Sequence, residues 1–388
     1  MNLHDIQQQW LASPHRVIGM MSGTSLDGID ICFAEFSIKD GRHHYSIIEK
    51  ALYSYTLEER ELLSRLLQDT ISIEEVSHAN SEITALHFSY LQRFLEEKGV
   101  NPLQCDLLSV HGQTVWHSPP KDGEDIGHTL QLLSIPALAA LTNIKTIGDF
   151  RSADMALGGQ GAPLVPIFDA EFLHSSQKDT IAVNIGGMAN ITIIPSDRNQ
   201  QIMAFDTGPG NILIDLAMKR FFGKQYDENG VFAREGRRLE RLWKNLCELE
   251  YITQKPPKST GREMFNATLL QDILEVSFVN TFPGEDIVRT ITDFTAWSIA
   301  ENIRLFGHPE SRILITGGGA HNATILSGLY KELPNAEFFS PQEIGFDADI
   351  KEALCFAYLG WRSLGGLPGN IPSVTGAKRE VILGSVSP

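Results

Sequence analysis

One order of elements occurs twice along this chain, and it limits the folds available more than any other feature. The order is strand, Gly-rich turn, strand, strand, helix, strand, polar tip. It begins with "RVIGMMSGTSLDGIDICFAEF", Arg16 to Phe36, where two apolar strands flank a centre of Gly, Ser, Thr and Asp. It begins again with "IAVNIGG" and "ANITIIP", two strands joined by a second Gly-rich turn. Identity between the halves is slight, so plan is repeated and residues are not. Such repetition predicts two related α/β domains facing each other across a cleft.

The alternation and spacing of apolar residues fill in the plan. "HHYSIIEKALYSYT" reads as a third strand, and Leu57, Leu62, Leu63, Leu66 and Leu67 recur at helical spacing. "SIEEVSHANSEITALHFSYLQRFLEEKGV" reads as a long helix ending at Gly99. "CDLLSVHGQT" is a short buried strand with a polar end, "IPALAALTN" a small helix and "IKTIGDF" a strand. In the second half, "QIMAFDTGPGN" leads into the helix "ILIDLAMKRFFG". "TDFTAWSIAENIRLFG" is a helix, and "RILITGGGAHN" is a strand followed by the helix "ATILSGLYKEL". The first domain is expected at 1–147, with the tail (about 373–388) returning to it as a short strand, and the second at 148–372. "DFRSADMALGGQGAPLVP" is the expected crossover.

The polar tips carry the chemistry. A Gly-rich turn lets bare backbone approach an anion. In "SGTSLDG", Ser22, Thr24 and Ser25 add hydroxyls, and Asp27 would hold a metal-bound water. Gly186 and Gly187 offer a second such turn. Gly317, Gly318 and Gly319 place a third before a helix N-terminus, where a base or ribose would lie against backbone. Asp206 ends an apolar strand before Gly208, Pro209 and Gly210, where it serves either as a general base or as a turn aspartate. Asp149, Arg151 and Asp154 either orient a polar substrate or form an interdomain ion-pair cluster. Ser109, His111, Gln113 and Thr114 would project polar groups from one strand face.

Other classes are excluded. The net charge of −16 argues against nucleic-acid and anionic-membrane surfaces. The only Gly-Lys pair, Gly223-Lys224, is followed by Gln225, so no Walker-type loop exists, and no strand leads into G-x-G-x-x-G. Cys32, Cys105, Cys247 and Cys355 form no CxxC pair. With an N-terminus unlike a signal peptide and no apolar run of membrane-spanning length, they lead us to expect a cytoplasmic protein with reduced thiols.

The blocks "GMMSGTSLDGID", "SVHGQT", "GDFRSADMALGGQGAPLVP", "NIGGMANIT", "FDTGPGN", "KSTGREMFN" and "ITGGGAHN" resemble, in order, the signatures of the anhydro-N-acetylmuramic acid kinase family. The resemblance implies two actin-like ATPase (ribonuclease H-like) domains around a central cleft. It also implies a reaction in which water opens the 1,6-anhydro bridge of 1,6-anhydro-N-acetylmuramic acid as O6 takes the γ-phosphoryl group of ATP. The products are N-acetylmuramic acid 6-phosphate and ADP, in peptidoglycan recycling. Carried onto this chain, Gly23, Thr24, Ser25, Leu26, Asp27, Gly28, Ile29 and Asp30, with Ser22 before them, would form the ATP phosphate loop. Gly186 and Gly187 would form a second phosphate turn, and Gly317 to Gly319 would lie by the adenosine. Asp206 would activate the water. Ser109, His111, Gln113, Arg151, Gln160 and Glu352 would meet the sugar. Magnesium would reach Asp27 or Asp206 through water, and a homodimer is common for this resemblance. The rivals are a kinase that activates a sugar hydroxyl and a non-enzymatic member of the fold. The role of "KSTGREMFN" stays open: Ser259 and Thr260 would cap the helix through Phe265, or Lys258 and Arg262 would approach the nucleotide.

Overall fold

A computed structural model describes residues 3–23, 26–66, 71–120, 126–279 and 281–388. Its strands in chain order are β1 (His15–Ser22), β2 (Gly28–Lys39), β3 (Arg42–Ser54), β4 (Leu107–Val110), β5 (Gln113–Ser118), β6 (His128–Leu132) and β7 (Thr146–Gly148). There follow β8 (Thr180–Ile185), β9 (Met188–Ile194), β10 (Met203–Pro209), β11 (Arg312–Thr316), β12 (Glu337–Phe339) and β13 (Ser385–Ser387). The chain divides into two compact units, one of residues 1–172 and 349–388 and one of residues 173–348.

The first unit is built on a sheet of order β13-β7-β4-β1-β2-β3. β1, β2 and β3 are antiparallel neighbours, and β4 and β7 join parallel on the other side of β1. β4 is buried throughout, as expected for a parallel strand covered on both faces. Alternation in β1 sends Ile18 and Met20 into a core with Phe33, Ile83, Leu91 and Phe94. Gly19 points the other way, where a Cβ would stand 2.0 Å from the Ala353 carbonyl oxygen, so the helix Lys351–Leu364 lies directly on the sheet. The long helix Ile73–Lys98 starts at a Ser72/Glu75 capping box and ends at a left-handed Gly99, as its sequence predicts.

The second unit repeats the topology with the order β10-β9-β8-β11-β12. β8, β9 and β10 are antiparallel, and β11 and β12 run parallel to β8. Three antiparallel strands followed by parallel ones is the ribonuclease H-like plan, here present twice in an α/β protein. The core joins Ile181, Val183, Ile191 and Ile193 to the apolar stripe of the helix Gly284–Phe306.

Two features differ from the sequence reading. Residues 148–172 and 349–372 belong to the first compact unit, because the helix Lys351–Leu364 packs on β1, β2 and β4. "SVHGQT" is not one strand: β4 ends at Val110 and Gly112 turns with φ +75°, so Gln113 opens a separate hairpin, β5 with β6. The returning tail does pair with β7, through Ser385–Ser387. Among the described residues, no helix is long and apolar enough to cross a membrane.

Candidate active site

In the first unit the Gly-rich turn leaves β1 at Ser22. Ser22 is buried; its hydroxyl accepts from Tyr55 Oη at 2.8 Å and donates to Gln113 Oε1 at 2.6 Å. Gln113 Nε2 returns to the Gly23 carbonyl at 3.4 Å, so β5 steadies the start of the turn. Thr24 and Ser25 lie outside the described residues. Leu26 is left-handed at φ 56°, and the exposed Asp27 follows, its carbonyl accepting from Tyr55 N–H at 3.0 Å. Ile29 is buried in the core, so its contribution to the turn is anchorage.

Beyond β4, Arg151 donates through Nη2 and Nε to His111 Nε2 at 2.8 and 3.1 Å. A guanidinium only donates, so His111 Nε2 accepts and Nδ1–H donates to the Gly112 carbonyl at 2.9 Å. Burial, then the Arg151 charge, holds the His111 pKa well below its usual range, and the ring is neutral. Arg151 Nη1 also donates to the Gly161 carbonyl at 2.7 Å. That carbonyl is fixed through Asp154, which is fully buried. Asp154 accepts from Gly161 N–H at 2.8 Å, Asn370 Nδ2 at 2.7 Å and Thr375 Oγ1 at 2.7 Å. Among the described residues, the bonds of Asp154 go to a backbone N–H, an amide and a hydroxyl, with no ion-pair partner. Asp154 ties the "GGQGAP" loop and orients Arg151 at one remove.

Asp149 is half-buried and accepts from Ser152 Oγ at 2.5 Å, at the start of the short helix that follows. Ser109 also departs from expectation: it is fully enclosed and its hydroxyl donates to the Phe356 carbonyl at 2.5 Å, holding the helix Lys351–Leu364 to the sheet. Gln160 keeps an exposed side chain, and its backbone N–H donates to the Thr375 carbonyl at 2.7 Å. Glu352 is exposed at the start of the same helix. Crowding by protein atoms pushes its pKa upward, Lys351 and Arg151 oppose that, and Asp27 adds to it. Asp30, at the head of β2, is raised to about 7 by burial and then by the charges of Glu352, Asp27 and Asp349. Among the described residues, no group of three or more His, Cys, Asp or Glu side chains is arranged to hold a metal.

The second unit brings three tips together. β10 is bulged against β9 between Asp206 and Gly208, so the pleat does not bury the half-buried Asp206. Asp206 Oδ2 accepts from Thr260 N–H at 2.9 Å. Burial raises its carboxyl to about 6; the Thr260 bond and Lys258 lower it, and Glu263 raises it. The Gly186-Gly187 turn accepts three N–H groups of the next tip: Gly210 to Gly187 O at 2.9 Å, Asn211 to Gly186 O at 2.8 Å and Ile212 to Gly187 O at 3.1 Å. Gly317 and Gly319 close on the same place, where Cβ atoms would stand 2.6 Å from Asn184 Oδ1 and 2.2 Å from Ile185 Cγ2. Gly318 faces more open space. A carboxylate at a bulged strand tip thus adjoins two backbone turns without side chains.

A sequence profile described as anhydro-N-acetylmuramic acid kinase matches residues 15–388. The chain belongs to the anhydro-N-acetylmuramic acid kinase family. A curated relative from Haemophilus influenzae, named anhydro-N-acetylmuramic acid kinase, is 37% identical over 385 residues, covering 97% of this chain and 98% of the relative. Solved structures give distant likenesses. The activator of 2-hydroxyisocaproyl-CoA dehydratase from Clostridium difficile, with bound ADPNP, has TM-score 0.43 and 12% identity, over 90% of this chain and 95% of that one. Component A of (R)-2-hydroxyglutaryl-CoA dehydratase from Acidaminococcus fermentans has TM-score 0.43 and 12% identity, over 90% and 99%. At that distance they carry no argument here.

For this member of the anhydro-N-acetylmuramic acid kinase family, the sequence reading named the tips but missed what holds them. Thr260, Tyr251 and Lys258 contact Asp206 from a separate segment, through a backbone N–H, a phenol and a carbonyl. Only the order of "KSTGREMFN" among the other blocks hinted at this. No helix runs through Phe265: residues 262–264 turn, and the helix begins at Ala267, capped by Asn266, which accepts from Leu269 N–H at 3.0 Å.

Proposed function

We propose that this chain opens the 1,6-anhydro bridge of 1,6-anhydro-N-acetylmuramic acid with water and transfers the γ-phosphoryl group of ATP to the freed O6. The products are N-acetylmuramic acid 6-phosphate and ADP, which places the reaction in peptidoglycan recycling. Family membership supports the reaction class. The observation that carries the mechanism is Asp206, tethered by one oxygen to Thr260 and raised only to about 6, so that it is ionised at neutral pH.

In this reading, water held by Asp206 attacks C1 and gives its proton to the carboxylate as the C1–O6 bond breaks. O6 attacks the γ-phosphorus, and the bond to the β-phosphate oxygen breaks to release ADP. The turns at Ser22–Asp30, Gly186-Gly187 and Gly317–Gly319 would cradle the nucleotide, presenting backbone to its phosphates and adenosine. Arg151, oriented by Gly161 and His111, would bind the sugar's polar groups, joined by Gln160 and Glu352.

A magnesium ion carried in on the phosphates would find a favourable field by Asp30, which is raised first by burial and then by the charges of Glu352, Asp27 and Asp349, a repulsion that a cation would relieve. Asp27 or Asp206 would hold it through water, and its chemistry there would be to neutralise charge on the β- and γ-phosphates.

The test is a phosphorylation assay on two acceptors. Anhydro-N-acetylmuramic acid is expected to be phosphorylated, and ordinary N-acetylmuramic acid at under about a hundredth of that rate, because no bridge opening drives O6 onto phosphorus. Comparable rates on both would overturn the reading.

A further inference from the structure

The motif "KSTGREMFN" makes contacts that the proposed chemistry does not yet use. Asp206 N–H donates to the Lys258 carbonyl at 3.2 Å. Lys258 Nζ donates to the carbonyls of Tyr251 at 3.1 Å and Ile252 at 2.8 Å. Tyr251 Oη donates to the Asp206 carbonyl at 3.0 Å, which closes a ring of three residues. Two of the ring's bonds grip the backbone of Asp206, and Thr260 N–H, two residues beyond Lys258, fixes its carboxylate. The ammonium sits over the rings of Tyr251, Phe205 and Phe306 at 4.9, 5.7 and 5.7 Å, an arrangement that favours a cation.

We infer that Lys258 is the positioning residue of the proposed base: through the ring with Tyr251 it fixes the backbone from which the Asp206 carboxylate projects. The inference rests on the reading of Asp206 as base. The charged and titratable groups around Asp206 are Lys258, which lowers its pKa, Glu263, which raises it, and the phenol of Tyr251. Burial draws Lys258 itself down to about 8 while Asp206 opposes that, so the ammonium persists through the neutral range.

The test compares the pH dependence of kcat/KM for Lys258→Met, Lys258→Arg and Tyr251→Phe in the full-length enzyme. Lys258→Met is expected to move the acidic limb upward, because a charge that lowers the Asp206 pKa is gone. Its kcat falls by about tenfold to a hundredfold, with KM for ATP within about twofold, as expected for loss of alignment. Lys258→Arg keeps the charge and returns the limb to within about a third of a unit of wild type. Tyr251→Phe opens the ring without removing charge, so kcat falls while the limb stays. An unchanged kcat in Lys258→Met overturns the inference. Should that variant not fold, an unchanged kcat in Tyr251→Phe overturns it instead. The base reading fails separately, if Asp206→Asn keeps its turnover.

Discussion

Replacing Asp206 by Asn lowers kcat by about three orders of magnitude and leaves ATP affinity within about twofold. Asparagine keeps the size of the side chain, and its Oδ1 still accepts from Thr260 N–H, so the tip retains its shape. What it loses is the ability to take a proton from water. In wild type the same group sets the acidic limb of kcat/KM near its pKa of about 6, with activity falling as pH drops through that value. Stability moves the opposite way. A carboxyl raised above its ordinary 3.8 destabilises the folded state once pH rises through about 6, because the unfolded chain gives up that proton more readily. Asp206→Asn is therefore expected to melt at or above the wild-type temperature at neutral pH, with no gain below the ordinary carboxylate pKa. An inactive variant that melts early would point to structure; one that melts late points to chemistry.

Gly210→Ala is the second large effect. A Cβ at Gly210 would stand 2.3 Å from the Gly186 carbonyl oxygen and 3.1 Å from Met188 backbone atoms, and no side-chain rotation relieves a clash with backbone. The residue also joins two tips, donating to Gly187 O at 2.9 Å and accepting from Thr295 Oγ1 at 2.9 Å. Pushing the turns apart is expected to destabilise the protein by about 3 kcal/mol and lower turnover by about a hundredfold. Thermal melts and steady-state rates measure both. Gly187→Ala is the matched control for stability alone: nothing lies within 4 Å of its added Cβ, so its melting temperature should stay within about two degrees of wild type.

The doubled plan was legible because its carriers are local. Alternation in β1 and β2, capping at Ser72 and Gly99 and the glycine tips all depend on neighbours within a few residues. The order of blocks then gave the family. What stayed hidden is made by distant partners. The helix Lys351–Leu364 belongs with β1 because Ala353 and Ala357 are small enough to meet Gly19, and nothing in chain order says so. Ser109 reads like any polar strand residue, yet Gly360 lies against it and the Phe356 carbonyl accepts a hydrogen bond from its hydroxyl. At Asp206 the partners are a backbone N–H from Thr260 and a backbone carbonyl from Lys258, groups that every residue but proline offers and no side-chain pattern marks. Asp154 looked like one of three charges in a row. Its partners Asn370 and Thr375 lie far along the chain, so burial alone separates it from the half-buried Arg151 and Asp149.

The central claim is that solvent, not a sugar hydroxyl, is the nucleophile that Asp206 serves. Turnover of the anhydro sugar with ATP in heavy-oxygen water, read by mass spectrometry of the phosphorylated sugar, tests it most directly. The account predicts one heavy oxygen at C1 for each bridge opened and none in the phosphoryl group. A product whose anomeric oxygen carries no label at early times would contradict it.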